Sequence, residues 1–326
     1  MSDVSMTRVR LTSPGGPEVL VAETAPWPAP GPGQVLIRAE AAGVAFHDIA
    51  TRRGLSPGAL PEVLGFDVVG HVLELGPQVT GFAVGDRVGA LVGTGGYATH
   101  VLAPTTQVVP MPDGLDAAVL DALLLNYLTA WQMFHHVAKP RPGQSVLVLG
   151  AAGGVGSALT QIARAAGVEV YGTSSPARRE RVKSLGATWV ADPTALPAPV
   201  AATFDPVGGP SLAVSRRATS REGVVISYGF SFTADAGYSK AGALARTLAA
   251  IARAKLTPGP RLAVHTVLNM VRKDPAAFRA DMTALIDLLA DGSIAPEVTT
   301  LPLAEAAEAH RRLENREVQG KLVLIP

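Results

Sequence analysis

The sequence predicts an α/β protein in which a small β-rich region is joined to a doubly wound parallel sheet. From about residue 8 to residue 112 the chain consists of short β-branched runs separated by Gly and Pro, the composition of strands and turns. From residue 145 onwards, short apolar runs alternate with amphipathic helical patterns, which is typical of βαβ units. The chain has 326 residues, enough for two domains. We therefore expect one β-rich domain and one α/β domain.

The individual elements follow from local patterns. Strands of the β-rich region are predicted at residues 35–39, 68–72, 87–92 and 99–102. At Asp116 the composition changes to a helix rich in Ala and Leu. Residues 145–149 are continuously apolar, as expected for a strand covered on both faces, and a helix and a second strand at residues 168–172 complete a βαβ unit. Further strands are predicted at residues 189–191, 202–204, 224–226 and 262–266, then helices near residues 275–290 and 304–314 and a closing strand at residues 321–325.

Composition and charge exclude several classes of function. The 28 Lys and Arg residues nearly balance the 27 Asp and Glu residues and are spread along the chain, so nothing marks a surface for nucleic acid or an anionic membrane. The absence of Cys excludes disulfide frameworks, thiolate zinc sites, iron–sulfur clusters and cysteine nucleophiles. The N-terminus lacks the apolar core of a signal peptide, and Asp121 and Asn126 interrupt the most apolar stretch. We therefore expect a soluble cytoplasmic protein.

A glycine-rich turn at residues 150–156 separates the first strand of the βαβ unit from its helix. Without side chains, Gly153, Gly154 and Gly156 let backbone N–H groups and the helix N-terminus approach a pyrophosphate closely. The second strand follows about twenty residues further on, as in dinucleotide-binding folds. This context predicts a Rossmann domain with a bound dinucleotide.

The end of the second strand distinguishes two dinucleotides. A site for NAD carries Asp or Glu there, to accept a hydrogen bond from the ribose 2′-hydroxyl. In this chain the first carboxylate is Glu180, and the position is taken by hydroxyl and guanidinium side chains: Thr173, Ser174, Ser175, Arg178 and Arg179. These groups suit a 2′-phosphate, although one of the two arginines is expected to be a solvated charge at a helix start. The sequence therefore predicts NADP(H).

Short motifs follow one another in a characteristic order along nearly the whole chain. They occupy residues 43–48, 52–54, 64–72, 85–88, 95–98, 128–131, 151–156, 185–187, 205–209 and 320–324. In this order they resemble the zinc-free medium-chain dehydrogenase/reductases of the quinone oxidoreductase type, in particular the vesicle amine transport protein-like branch. The resemblance implies a GroES-like catalytic domain built from residues 1–122 and 267–326, a Rossmann domain at residues 123–266, and a homodimer.

The resemblance also implies which residues form the site. Asn126 and Thr129 would lie beside the nicotinamide half, and Gly153, Gly154 and Val155 would bind the pyrophosphate. Ser174, Ser175 and Arg179 would bind the 2′-phosphate. Two segments that follow the fifth and sixth strands would border the nicotinamide: Ser227, Tyr228 and Gly229, and Val264, His265 and Thr266.

The chain departs from the family pattern at several positions. Relatives commonly have Asn where this chain has Ala45 and an aromatic residue where it has Ala50, so a Tyr donor at position 50 is excluded. Pro193 stands where some relatives have a Tyr over the adenine. Residues 192–205 are too few for the helix that usually crosses between the third and fourth strands, so we expect a remodelled adenine edge.

Zinc is not expected, because the zinc-dependent branch uses a Cys near position 45. The chain's seven histidines have no metal-like spacing apart from His135 and His136, which a helix would point in different directions. Reduction would then proceed by hydride transfer with polarising hydrogen bonds from the protein. His47, Tyr228 and His265 are the candidate donors or general acids, and for each a role as a pocket-lining residue is an equal alternative.

Phe46 and Phe230, together with His47, would shape an apolar substrate pocket. Asp48 and Asp67 are interpreted as structural. The leading hypothesis is an NADPH-dependent reductase of quinones or α,β-unsaturated carbonyls. Two alternatives stay open, namely a non-catalytic NADPH-binding protein of the same fold, suggested by Ala45 and Ala50, and an enoyl reductase of secondary metabolism.

Overall fold

The computed structural model describes residues 5–55, 60, 62–229 and 240–326. Contacts between its residues divide the chain into two compact units. Unit 1 comprises Met1–Asn126, Leu268–Ala284 and Pro296–Pro326, and unit 2 comprises Tyr127–Val267 and Leu285–Ala295. Leu285–Ala295 therefore joins unit 2, whereas the sequence-based division grouped it with the residues after 267. Gln161 explains this placement, since its amide group accepts from the Ala295 N–H at 2.6 Å and donates to the Ala295 carbonyl at 3.4 Å.

Two sheets form the β-rich unit 1. In the smaller one, β1 lies between β2 and β4, with bounds Ser5–Leu11 for β1, Leu20–Pro26 for β2 and Glu62–Val63 for β4. The larger sheet has the order β15-β16-β3-β5-β6-β8, and β7 also pairs with β3. Its strands are β3 (Gln34–Val44), β5 (Asp67–Leu75), β6 (Arg87–Leu91), β7 (His100–Pro104), β8 (Val108–Pro110), β15 (Val298–Pro302) and β16 (Lys321–Ile325).

The C-terminal strand β16 pairs antiparallel with β3, so that Val323 lies opposite Gly43. The larger sheet of unit 1 therefore contains strands from both the first and the last part of the chain. Its β-branched and aliphatic side chains, among them Val35, Ile37, Val68 and Val88, are buried together in one core. Burial of these apolar side chains is the main contribution to the stability of this sheet.

Unit 2 contains a parallel sheet with the order β11-β10-β9-β12-β13-β14. Its strands are β9 (Ser145–Val148), β10 (Glu169–Gly172), β11 (Thr188–Trp189), β12 (Val200–Asp205), β13 (Thr219–Ser227) and β14 (Arg261–Val264). This is the strand order of the doubly wound dinucleotide-binding fold, which places ligands at the carboxyl ends of the strands where the order reverses. The predicted parallel sheet is confirmed.

Helices cover and connect the sheets. They are α1 (Phe46–Arg52), α2 (Ala117–Ala122), α3 (Leu128–Trp131), α4 (Gly154–Ala165), α5 (Arg179–Ser184), α6 (Ser211–Ala218), α7 (Lys240–Leu256), α8 (Val267–Lys273), α9 (Pro275–Ala290) and α10 (Ala306–Glu314). Two π-helical segments, Leu123–Tyr127 and Gln132–Ala138, flank α3. In the described residues, Ala117–Ala138 is the stretch long and apolar enough to cross a membrane, and 78% of its most apolar window is buried inside the protein, as in a core helix.

The connection between β11 and β12 contains turns and no helix across residues 190–199, all of which the structure describes. The short crossover expected from the sequence is therefore confirmed. Val190 and Leu196 pack from this connection against the sheet core around Leu147 and Val200. Two apolar side chains thus cover the face that a crossing helix would otherwise bury.

Candidate cofactor and reduction site

The glycine-rich turn connects β9 to α4. Gly153 is the N-cap residue of α4, and its N–H donates to the Gly150 carbonyl at 2.9 Å. A Cβ at Gly156 would overlap the Gly150 carbonyl oxygen, so only glycine permits this close approach of helix and turn. The first N–H groups of a helix have no partner within it, and they carry the positive end of the helix dipole. The turn therefore has the shape and polarity that a pyrophosphate requires.

Thr173 connects this turn to the end of β10. Its hydroxyl oxygen accepts from the Gly150 N–H at 3.2 Å, and its carbonyl accepts from the Ala151 N–H at 2.9 Å. Gly172, just before it, leaves room for the side chains of Ala151 and Val182, which a Cβ would meet at less than 3 Å. Thr173 thus holds the turn in place beside the strand end.

The residues after Thr173 form a polar cluster with Trp189 of β11. The Trp189 indole N–H donates to the Ser174 hydroxyl at 3.1 Å, and that hydroxyl donates to the Ser175 carbonyl at 3.0 Å. The Arg179 guanidinium carbon lies 5.2 Å from the centroid of the Trp189 ring, within range of a cation–π interaction. The sequence interpretation missed Trp189. The sequence contained one signal for it, an aromatic residue at the start of the predicted strand 189–191. That strand follows the strand at residues 168–172, after which Ser174 and Ser175 lie.

The other predicted residues of this segment differ in exposure. Ser175 is exposed, and Arg178 is half-buried at the N-terminus of α5. The nearest carboxylate in sequence, Glu180, is exposed and pairs with Lys183 at 3.0 Å and with Arg179 at 3.8 Å. Among the described residues, the segment from the end of β10 to Arg179 contains no carboxylate for a ribose 2′-hydroxyl.

The segments after β13 and β14 lie side by side. Ser227 and Val264, the last residues of the two strands, are partners in the sheet, and the His265 N–H donates to the Ser227 carbonyl at 2.9 Å. Gly229 follows Tyr228, and a Cβ there would overlap the carbonyl oxygen of Pro206. Thr266 and Val264 are exposed, whereas His265 is buried. Tyr228 and His265 thus lie at the carboxyl edge of neighbouring strands.

Both candidate donors are uncharged at neutral pH, His265 as a buried residue and Tyr228 as a half-buried one. Desolvation lowers the pKa of His265 to about 4, and the electrostatic effect of the neighbouring His136 acts in the same direction. Within the described part of the chain, its buried Nε2 atom has no hydrogen-bond partner. Desolvation also raises the pKa of Tyr228, as does the nearby negative charge of Asp205. At neutral pH the two side chains are therefore an uncharged imidazole and a protonated phenol.

Asn126 and Thr129 occupy the helical stretch that leads into unit 2. Asn126 is half-buried in the π-helical segment Leu123–Tyr127, and Thr129 is buried in α3. Single-turn π segments are frequent at functional sites because the extra residue changes the direction of the side chains. Val155 is half-buried in the first turn of α4.

His47 and Phe46 belong to unit 1. Both lie exposed on the first turn of α1, and the His47 ring meets the edge of Phe66 at a centroid distance of 5.5 Å. Phe230 lies outside the described residues. His47, Tyr228 and His265 are thus divided between the two units.

A buried polar network lies behind His47. The Asp48 carboxylate accepts from the Ala45 N–H at 2.9 Å, from the Gly65 N–H at 3.2 Å and from the Tyr97 hydroxyl at 3.0 Å. The Tyr97 oxygen lies 2.9 Å from His310 Nε2. Burial raises the pKa of Asp48 to about 6.

A second buried network joins three elements of unit 1. Lys321 of β16 pairs with Asp67 of β5 at 2.7 Å and lies 3.8 Å from Asp121 of α2. A Cβ at Gly43 would overlap atoms of all three side chains. The geometry supports the structural interpretation of Asp67. The sequence signalled Lys321 only as part of the motif at residues 320–324, and Asp121 only as a charge that interrupts an apolar stretch.

Comparisons with known proteins identify the family. Residues 31–113 match the alcohol dehydrogenase GroES-like domain, and residues 179–324 match the zinc-binding dehydrogenase domain. A quinone oxidoreductase of Pseudomonas aeruginosa is 32% identical over 339 aligned positions, which cover 98% of this chain and 99% of that protein. The rat synaptic vesicle membrane protein VAT-1 homolog is 31% identical over 316 positions, which cover 92% of this chain and 78% of that protein.

A solved structure agrees with these relatives. A mycobacterial protein solved in complex with NADPH superimposes with a TM-score of 0.84 at 31% identity, covering 98% of this chain and all of the other. The described residues do not fit the zinc that the second domain name implies. The sequence has no Cys, and the described residues hold no group of three or more His, Asp and Glu side chains that could bind a metal.

The fold, the glycine-rich turn and the relatives agree with the family that the sequence motifs predict. A GroES-like match precedes the parallel sheet along the chain, and relatives above 30% identity cover nearly its whole length. The chain belongs to the medium-chain dehydrogenase/reductase family of oxidoreductases, in its quinone oxidoreductase-like group.

Proposed function

We propose that this protein is an NADPH-dependent, metal-independent reductase that transfers hydride to a quinone or an α,β-unsaturated carbonyl compound. One observation carries the choice of cofactor. Beside the glycine-rich turn, the end of β10 bears Ser174 and Ser175 with Arg179 close by, and it lacks the carboxylate that a site for NAD would place there.

The chain's own groups supply the binding contacts. The backbone N–H groups of Gly153, Gly154 and Val155 would bind the pyrophosphate, since the start of α4 favours negative charge. The hydroxyls of Ser174 and Ser175 and the guanidinium of Arg179 would bind the 2′-phosphate, a dianion that needs charged donors. Thr173 acts indirectly by holding the turn against β10.

NADPH supplies a hydride for the electrophilic carbon of the acceptor, and water or a side chain supplies the accompanying proton. As the carbon accepts the hydride, negative charge grows on the acceptor's oxygen. A neutral phenol at Tyr228 and a neutral imidazole at His265 can donate hydrogen bonds to that oxygen without an unpaired buried charge. The exposed His47 of unit 1 stays a candidate general acid.

Turnover assays with NADPH and NADH test this proposal. The protein is mixed with each cofactor and a panel of quinones, enones and enoyl thioesters, and oxidation of the nicotinamide is followed by absorbance. We expect at least one acceptor to be reduced, with NADPH preferred over NADH. Tight NADPH binding without turnover of any acceptor would contradict the reductase proposal and favour a non-catalytic binding protein.

We also propose that the protein is a cytoplasmic homodimer, as the family resemblance implies. Light scattering after gel filtration measures the molar mass in solution. A mass near twice 33.5 kDa supports the proposal, and a mass near 33.5 kDa contradicts it.

A further inference from the structure

We propose that Trp189 is the residue that positions the 2′-phosphate site and thereby determines the preference for NADPH over NADH. This inference rests on the proposed cofactor. It concerns a side chain that contacts both Ser174 and Arg179, the two groups expected to bind the phosphate.

The backbone brings Trp189 to the strand end. Trp189 is the last residue of β11 and lies opposite Gly172, the last residue of β10, in the parallel register. From this position the half-buried indole reaches Ser174, the second residue after β10.

The indole N–H constrains the Ser174 hydroxyl. An indole can only donate, so its bond to Ser174 fixes one lone pair of that oxygen and leaves the hydroxyl proton free to turn. In the structure this proton is directed to the Ser175 carbonyl. A phosphate at the strand end could accept the same proton while the indole bond stays in place.

The indole ring constrains Arg179. This side chain is half exposed, with a fractional exposure of 53%, and a free arginine of this kind would lose much rotamer entropy on binding a phosphate. Contact with the face of the Trp189 ring restricts it beforehand, so less entropy is lost when the ligand binds. The Glu180 carboxylate at 3.8 Å competes weakly, since it is well exposed to solvent.

Both constraints act on the 2′-phosphate alone. The pyrophosphate site at the glycine-rich turn is held by Thr173 and the backbone, without Trp189. Loss of the indole should therefore weaken the binding of ligands that carry a 2′-phosphate and leave the binding of ligands without that phosphate unchanged. A residue that merely stabilised the fold would affect both classes equally.

Calorimetric titration of the full chain with 2′,5′-ADP and with 5′-AMP tests this separation independently of turnover. Trp189→Phe keeps an aromatic face and removes the N–H, and we expect about threefold to tenfold weaker binding of 2′,5′-ADP. Trp189→Leu removes both contacts and should weaken it by about tenfold to thirtyfold, with 5′-AMP unchanged in both variants. Trp27→Phe is the matched control, because Trp27 packs on His100 in unit 1.

Ser174→Ala provides a second variant in case a Trp189 substitution impairs folding. It removes the partner of the indole N–H, and its loss of 2′,5′-ADP affinity should not add to that of Trp189→Phe. Quenching of tryptophan fluorescence by 2′,5′-ADP should disappear in Trp189→Phe and persist in Trp27→Phe.

Three outcomes would overturn the inference: equal losses for the two ligands, no loss in Trp189→Leu, or a wild-type protein that does not prefer 2′,5′-ADP. A preference that Trp189→Leu abolishes supports the inference even if no acceptor is reduced. In that case only the reductase proposal fails.

Discussion

Polar groups are arranged differently in the buried networks of unit 1 and at the strand ends of unit 2. In unit 1, Asp67 and Lys321 are almost completely buried and pair with one another at 2.7 Å. In unit 2, His265 is also buried, and its Nε2 atom has no partner among the described residues. Unpartnered buried atoms also occur in unit 1, at Asp67 Oδ1, Asp121 and His310 Nδ1, so what distinguishes His265 is its place at the carboxyl end of the parallel sheet, where this fold binds ligands.

The two buried histidines make this comparison specific. Nε2 of His310 in unit 1 is in contact with the Tyr97 hydroxyl, which also donates to Asp48. Desolvation lowers the pKa of both histidines, to about 3 for His310 and about 4 for His265. Similar burial thus serves a structural network in one unit and a candidate reaction site in the other.

The largest expected effect is the loss of the buried lysine. Lys321→Met leaves the carboxylates of Asp67 and Asp121 buried without a counter-charge, so we expect a loss of about 3–5 kcal/mol in the free energy of unfolding. Urea unfolding measures this loss. Lys183→Met, on the exposed surface of α5, should change stability by less than about 1 kcal/mol. Comparable stabilities of the two variants would refute the structural role of the network.

The second prediction concerns the phosphate site. Arg179→Ala removes a charged donor from the proposed 2′-phosphate site, so KM for NADPH should rise about tenfold to a hundredfold, with little change for NADH. Steady-state kinetics measures KM for NADPH and for NADH in both the wild-type protein and the variant. Lys183→Ala is the matched control, because it removes a positive charge from the same helix. A parallel rise for NADH would show that Arg179 supports the fold and not the phosphate.

The third prediction is a pH dependence of stability. His310 has a pKa of about 3 in the folded protein against 6.5 when unperturbed, so the folded state binds fewer protons between these values. Its contribution is fully present above pH 6.5 and is lost as the pH falls, by roughly 1 kcal/mol for each pH unit. The raised pKa of Asp48, about 6, acts oppositely, since its contribution is lost as the pH rises from about 4 to 6.

A variant separates these two opposing groups. His310→Gln removes the contribution of His310 protonation to the free energy of unfolding. The wild-type protein should therefore lose stability relative to this variant as the pH falls from 6.5 towards 4. Chemical unfolding of both proteins at several pH values measures the difference. A gap between them that does not vary with pH would contradict the pKa shift of His310.

The smallest effect is expected at the reaction site. Tyr228→Phe removes a neutral donor next to the end of β13, and we expect kcat to fall by about threefold to tenfold while KM for NADPH stays constant. Tyr171→Phe, in the middle of β10, is a matched control. An unchanged kcat would contradict a donor role for Tyr228 and favour the alternative that it only lines the pocket.

Much of the fold could be predicted from local patterns. The continuous apolar run of β9, the glycine-rich turn and the following helix specify a βαβ unit because each depends only on neighbouring residues. The helix-free connection after β11 could also be predicted, because residues 192–205 are too few to contain the usual crossing helix. The roles proposed for His47, Tyr228 and His265 stay predictions, and Phe230 lies outside the described residues.

Other features depend on residues that are distant in sequence. Trp189 and Ser174 are 15 residues apart and meet because β10 and β11 pair in parallel, a register that no local pattern specifies. Lys321 and Asp67 are 254 residues apart and meet because β16 joins the sheet of β3 and β5.

The sequence by itself determined the family, the parallel sheet and the absence of thiolate chemistry, because these follow from residue identity and short-range spacing. Only the tertiary structure decided which polar groups are satisfied. The structure shows that Thr173 accepts from the glycine-rich turn and that Trp189 contacts Ser174 and Arg179, whereas the phosphate contacts expected of Thr173, Ser174 and Arg179 stay predictions. The physical reason is that hydrogen bonding and desolvation depend on neighbours brought together by strand pairing, which a linear spacing does not contain.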